Sequence, residues 1–258
     1  MKSVLFAATE AVPFVKTGGL GEVIGSLPRE LRRQGIDARV IIPCYQDIAA
    51  EYRKQFTLLT SFEVTVGWRK QYCGILYYED AGVPVYFVDN EYYFQRHGLY
   101  GHYDDGERFA FFCRAVLEAL PKIPVQPQLI HCHDWQTAMI CTLLKTTYRQ
   151  QPFYEQMRTL YTVHNLKYQG LFPKETLGEL WGLNWEQFTP DGLEFYDQLN
   201  CMKGGIVYAD AVSTVSRTYS QEIQQPFYGE KLEGVLRQRE PVLYGITNGI
   251  DETRYNPA

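Results

Sequence analysis

Four clusters of polar residues, each following an apolar run, hold the chemistry this chain can offer. The first is the stretch Thr9-Glu10-Ala11-Val12-Pro13-Phe14-Val15-Lys16-Thr17-Gly18-Gly19, after the run Val4–Ala8. Paired glycines let a backbone approach a ligand closely and leave N–H groups facing outward. A helix opening near Leu20 would add roughly half a unit of positive charge at its start. Lys16, two residues before the glycines, adds a full charge, so the cluster suits a diphosphate. The pattern is not GxxxxGK[ST]. It is not GxGxxG either, because Gly19 and Gly21 fit the first two places and Ile24 stands in the third. On local physics alone, a glycine turn entering a helix beside a surface lysine reads equally well.

The second cluster is His131-Cys132-His133-Asp134-Trp135. Side chains two apart on a strand share a face, so His131 and His133 have ligand-like spacing. Two histidines and one acid are thin for zinc, however, and a histidine at a strand end more often bonds a neighbouring loop. No metal site is expected. Asp134 suits the N-cap of a helix opening at Trp135, and could equally accept from a sugar hydroxyl. His164-Asn165 follows Thr159–Val163, and Asn248-Gly249 follows Leu243–Thr247. Each pair alone is ordinary turn chemistry. The coincidence is what counts, since ligands in open parallel sheets bind outside the carboxyl ends of the strands. Nucleophilic catalysis finds no GxSxG elbow and no cysteine in an activating setting. No carboxylate pair for hydrolysis can be assigned.

The elements that must position these clusters are legible in outline. Continuous apolar runs at Val4–Ala8, Ala38–Ile42, Val83–Val88, Leu129–Cys132, Thr159–Val163 and Ala211–Val215 suit strands covered on both faces. Helical spacing lies between them at Leu20–Gln34, Arg108–Leu120 and Trp135–Tyr148. This alternation predicts an α/β fold, a Rossmann-like, doubly wound and mostly parallel sheet. Period-two alternation between Thr57 and Asp89 adds an antiparallel extension. The aromatic-rich stretch Phe172–Leu199 reads as a partly helical excursion over one end of the sheet. The abrupt stop at Asn256-Pro257-Ala258 reads as a domain boundary.

Composition narrows the partners. The 258 residues carry a net charge of -5, which argues against a general nucleic-acid binder. No run approaches the ~20 apolar residues of a membrane helix. The opening segment is too short in apolar residues for a signal peptide. Six scattered cysteines without framework spacing point to reduced thiols and a cytoplasmic location.

Lys16-Thr17-Gly18-Gly19-Leu20, His133-Asp134-Trp135, Thr162-Val163-His164-Asn165 with Tyr168-Gln169-Gly170, and Thr247-Asn248-Gly249-Ile250-Asp251 occur in this order. The chain thereby resembles, over essentially its whole length, the bacterial glycogen synthase and plant starch synthase family. The resemblance implies one lobe of a two-lobed GT-B glycosyltransferase. Residues 1–258 correspond to the N-terminal, acceptor-side domain, and a C-terminal nucleotide-binding lobe is the expected partner. It implies ADP-glucose as donor substrate and an α-1,4-glucan, glycogen or starch primer, as acceptor, with no cofactor or metal. The lack of a transit-like start favours a bacterial source. By motif, Lys16 would contact the donor phosphates or the acceptor side. Gly18 and Gly19 would face the donor, and Asp134, Asn165 and Asn248 would bond glucose hydroxyls. His164 would lie beside the transferred sugar, and Glu10 would orient Lys16 or the acceptor. Glu22 stands where the family usually has aspartate. The family's cleft tyrosine falls ambiguously on Tyr92-Tyr93-Phe94. An isolated lobe is expected to be inactive. The alternative is a stand-alone glucan-binding module without catalysis.

Overall fold

The computed structural model describes residues 2–249, and the expected boundary at Asn256-Pro257-Ala258 lies outside them, as do Ile250 and Asp251 of the last motif. Strand β1 (Ser3–Ala7) is central. Parallel to it on one side runs β2 (Asp37–Pro43). The chain then forms an antiparallel ribbon, β3 (Thr57–Val66) and β4 (Arg69–Asp80), before β5 (Val83–Asp89) pairs parallel with β2 and antiparallel with β4. On the other side of β1 lie β6 (Leu129–His133) and β7 (Arg158–Val163), all parallel. A separate small sheet gathers β8 (Leu171–Pro173), β9 (Glu194–Phe195) and β10 (Gln198–Asn200) in the order 8-10-9. Finally β11 (Ala211–Thr214) and β12 (Leu243–Gly245) extend the main sheet. Among the described residues the main sheet is nine-stranded, in the order 12-11-7-6-1-2-5-4-3.

That order explains where a ligand belongs. From β1 the chain winds first toward β2 and β5, then returns to the opposite flank at β6. The loops leaving β1 and β6 therefore diverge, which opens a crevice at the switch point. Burial on both faces explains the continuous apolar runs: Leu5, Phe6, Ala7, Ile41, Ile42, Phe87 and Val88 are all fully enclosed. The antiparallel extension lies where the period-two alternation put it.

The Phe172–Leu199 excursion is partly helical, as expected, with short helical turns at Thr176–Glu179 and Trp185–Gln187. It carries the small three-stranded sheet, whose strands are two or three residues long and too short to show a period. The Cys201–Tyr208 helix was masked in sequence by Gly204-Gly205. A Cβ at Gly205 would come within 2.8 Å of the Tyr161 ring and 2.9 Å of Ala138 Cβ, so glycine lets this helix press against the Trp135–Lys145 helix and β7. No helix among the described residues is long and apolar enough to cross a membrane. All six cysteines are buried and free, and burial pushes the Cys44 thiol up to about 12.

Candidate active site

The crevice at the switch point is a cavity of about 790 Å³. Seven of the eight residues picked out in sequence line it: Glu10, Gly18, Gly19, Asp134, His164, Asn165 and Asn248. They arrive from the carboxyl ends of β1, β6, β7 and β12, residues up to 238 apart brought to one rim by the parallel strands between them. Lys16 is the exception. Its Nζ donates to Glu22 Oε1 at 2.5 Å, so the helix-start acid holds the lysine on the flank of the cavity.

Two helices open onto the cavity. The first, Gly19–Arg33, begins behind Gly18, whose extended backbone leaves it uncapped by any side chain. A Cβ built on Gly18 or Gly19 meets nothing within 4 Å. The protein itself makes no demand for glycine there, and the space is left to whatever enters. The loop before the helix is held by Glu10, which is buried. Its carboxylate accepts from Thr17 N at 2.6 Å, Thr17 Oγ1 at 2.7 Å, Gly18 N at 3.2 Å and Tyr100 OH at 2.8 Å. Glu10 thus fixes the residues that follow Lys16 rather than the lysine ammonium.

The second helix, Trp135–Lys145, begins at Asp134, with φ +55° and ψ -179°. That combination lies close to a region comfortable only for glycine, and such residues concentrate where function over-determines the backbone. Asp134 does not cap its own helix, contrary to the N-cap expectation. Thr137 closes that turn, its Oγ1 accepting from His133 N at 2.6 Å. The Asp134 carboxylate instead reaches sideways, accepting from His164 N at 2.8 Å and Asn165 N at 3.3 Å. One side chain therefore ties the loop after β6 to the loop after β7. Burial raises its pKa to about 7, against the lowering effect of those two N–H groups.

His164 is half-buried, and burial depresses its pKa to about 4, leaving a neutral ring at pH 7. Its Nε2 lies 2.9 Å from Nδ1 of His133. His131 Nε2 meets Thr162 Oγ1 at 2.6 Å, so the two histidines of the second cluster bond to β7 and to the loop that follows it. Among the described residues no group of three or more His, Cys, Asp or Glu is arranged to hold a metal ion.

Sequence reasoning missed Tyr100 and Asp105, which also line the cavity, and quoted Tyr168 in a motif without giving it a role there. None of Tyr92, Tyr93 and Phe94 is among the lining residues. Tyr92 is exposed, Tyr93 is buried with its hydroxyl donating to Glu107, and Phe94 packs against Phe111. Two tyrosines do line the crevice, Tyr168 and, six positions beyond Phe94, Tyr100. The signal for Tyr100 was the loop 95–105, which leaves β5 on the same sheet edge and carries Gly98 and Gly101, both with positive φ.

Residues 3–238 match the family model described as the starch synthase catalytic domain. A glycogen synthase from Desulforamulus reducens is 58% identical over 254 residues, 98% of this chain and 53% of its own length. One from Geobacillus stearothermophilus is 56% identical over 98% of this chain and 52% of its own length. The catalytic domain of starch synthase IV from Arabidopsis thaliana, solved bound to ADP and acarbose, superposes with a TM-score of 0.93. Its identity is 34%, covering 100% of this chain and 53% of that one. Parallel strands, helices on both faces and a crevice at the switch point thus define a lobe of a GT-B glycosyltransferase. The chain spans about half the length of the curated relatives it matches. It belongs to the starch synthase catalytic domain family.

Proposed function

We propose that this chain is the N-terminal, acceptor-side lobe of a retaining glucosyltransferase. The reaction moves glucose from ADP-glucose to the non-reducing end of an α-1,4-glucan, in glycogen or starch synthesis. The observation that supports it most is the composition of the cavity. It pairs two helix starts, Gly18-Gly19 and Asp134-Trp135, with hydroxyl-matching side chains, yet no lysine or arginine lines it among the described residues. Such a surface suits a sugar and its linkage to phosphate. It does not neutralise a departing diphosphate.

In this reading the backbone at Gly18 and Gly19 faces the donor, with the Gly18 N–H held by Glu10, and Asp134, Asn165 and Asn248 bond glucose hydroxyls. His164 stands beside the transferred sugar, and Lys16, freed from Glu22, reaches toward the phosphates or the acceptor. The work of this lobe is positioning and charge stabilisation, for which the site is already ordered by Glu10 and Asp134. Neutralising the leaving group falls to a second, C-terminal lobe closing over the crevice. No metal or cofactor enters the scheme. The two glycogen synthases named above are bacterial, and six free, buried thiols suit a reducing interior, which supports a cytoplasmic bacterial enzyme.

The test is transfer of labelled glucose from ADP-glucose to maltoheptaose. The chain alone should transfer nothing above background. A chimera joining it to the remaining half of the Desulforamulus reducens relative should be active. Robust turnover by the chain alone would refute the division of labour. A folded chimera that ignores ADP-glucose would refute the assignment.

A further inference from the structure

Behind the cavity wall lies a file of imidazoles that the proposed reaction leaves without a task. His131 and His133 stand two apart on β6, with ring centroids 4.0 Å apart. His133 also stacks on Phe6, at 5.8 Å and 15° between planes, and is wholly enclosed. Only one of its ring nitrogens has a partner: Nδ1, 2.9 Å from His164 Nε2. The other, Nε2, is buried with none.

Burial keeps both rings neutral at pH 7, so each carries one proton, and one ring must donate across the contact while the other accepts. The unpartnered nitrogen decides which. Were His164 the donor, His133 would carry its proton on Nε2, an N–H enclosed with no acceptor. Were His133 the donor, its Nε2 would be a bare lone pair. Orphaned buried N–H groups are the rarer of the two in folded proteins.

We propose that His133 is a positioning residue for His164, donating its Nδ1–H to His164 Nε2 and so confining the cavity-facing imidazole to the tautomer protonated on Nδ1. A neutral ring with a fixed proton presents a donor, not an acceptor, to whatever occupies the crevice. The His164 Nδ1 makes no hydrogen bond among the described residues that would compete for it. The identity of the occupant rests on the glucosyl-transfer reading. The tautomer does not.

Proton-to-nitrogen correlation spectra of the chain labelled with ¹⁵N-histidine, recorded at pH 7 without sugar, read the protonated nitrogen of each ring directly. His164 and His133 should both appear as neutral Nδ1–H forms, against the Nε2–H form that free histidine favours. In His133→Asn, whose amide can place a donor near the lost Nδ1, His164 should keep that form. In His133→Phe it should lose it and shift toward Nε2–H. An Nε2–H signature for His164 in the unaltered chain, or a tautomer indifferent to His133→Phe, overturns the proposal. Should the Phe variant not fold, the unaltered spectrum still decides. Failure of the glucosyl-transfer reading would leave these spectra as they are.

Discussion

Replacing Glu10 separates a side chain that holds the site from one that merely lines it. Only 4% of the residue is exposed, and its two oxygens accept four hydrogen bonds. One oxygen serves backbone donors, Thr17 N and Gly18 N, which cannot reverse their role. The other serves hydroxyls, Thr17 and Tyr100, which can. Glutamine can keep its carbonyl on the backbone pair and offer its amide to rotated hydroxyls, so Glu10→Gln loses mainly charge assistance, about 1 kcal/mol. Alanine abandons two fixed N–H groups, each costing ~1–3 kcal/mol when left unpaired, with part recovered because a carboxylate no longer needs burying and water enters from the cavity. The Tyr100 hydroxyl retains Thr9 Oγ1 at 2.7 Å. The net expectation for Glu10→Ala is a loss of ~2–4 kcal/mol. Urea unfolding at 25 °C, with an unchanged m-value, measures both. Equal losses for the two variants, or an alanine variant within about 0.5 kcal/mol of the parent, the range of ordinary surface changes, would refute the role assigned to this carboxylate.

Gly18→Ala should leave the urea midpoint unchanged, because its Cβ meets nothing within 4 Å, while weakening the affinity for ADP-glucose, read by titration of the Gly19 amide resonance, about tenfold, a change worth ~1.4 kcal/mol. Gly205→Ala should destabilise by ~1–3 kcal/mol despite alanine's better helix propensity, since the new methyl enters a packed contact. Gly234→Ala, in the Glu233–Gln238 helix with open space at its Cβ, should be neutral or stabilising in the same urea assay. Stability should fall on acidification from ~6.5, the unfolded histidine value, toward 4, where His164 takes its proton in the fold, and on toward 3 for His131. Both pKa values are depressed by folding, so their contribution is present above ~6.5 and lost below it. Asp134, raised to about 7, works in the opposite direction between ~4 and 7, and the three histidines outnumber it. His131→Gln should flatten the slope of unfolding free energy against pH. An unchanged slope would contradict the burial argument.

The parallel core was legible because its strands are buried on both faces, and burial writes itself into sequence as uninterrupted Val, Ile, Leu and Phe. The site was legible because strand ends are where such a sheet must put its polar residues, and Asp134, His164 and Asn248 obey that rule. What escaped was set by contacts across the fold. Gly204-Gly205 looks like a helix breaker until Tyr161 and Ala138 are seen against it. Lys16 reads in sequence as a free surface cation, and only the fold sets Glu22 beside it. Tyr100 lies in a loop without periodicity, and its place depends on a partner 90 positions earlier. Asp134 resembled an N-cap because a cap and a lateral anchor use the same residue types, and only the backbone angles separate them.

Those angles restrict who can occupy position 134. Beyond glycine, aspartate and asparagine are the residues that visit positive φ most readily. Of these, asparagine would also accept from His164 N and Asn165 N, and would do so without an ionisable group whose charge burial opposes. Every bond drawn within the protein at this position could thus be made by a neutral amide. What the acid adds over asparagine is a carboxyl group raised by burial to about 7, and so able to hold or release a proton near neutrality at the rim of the crevice.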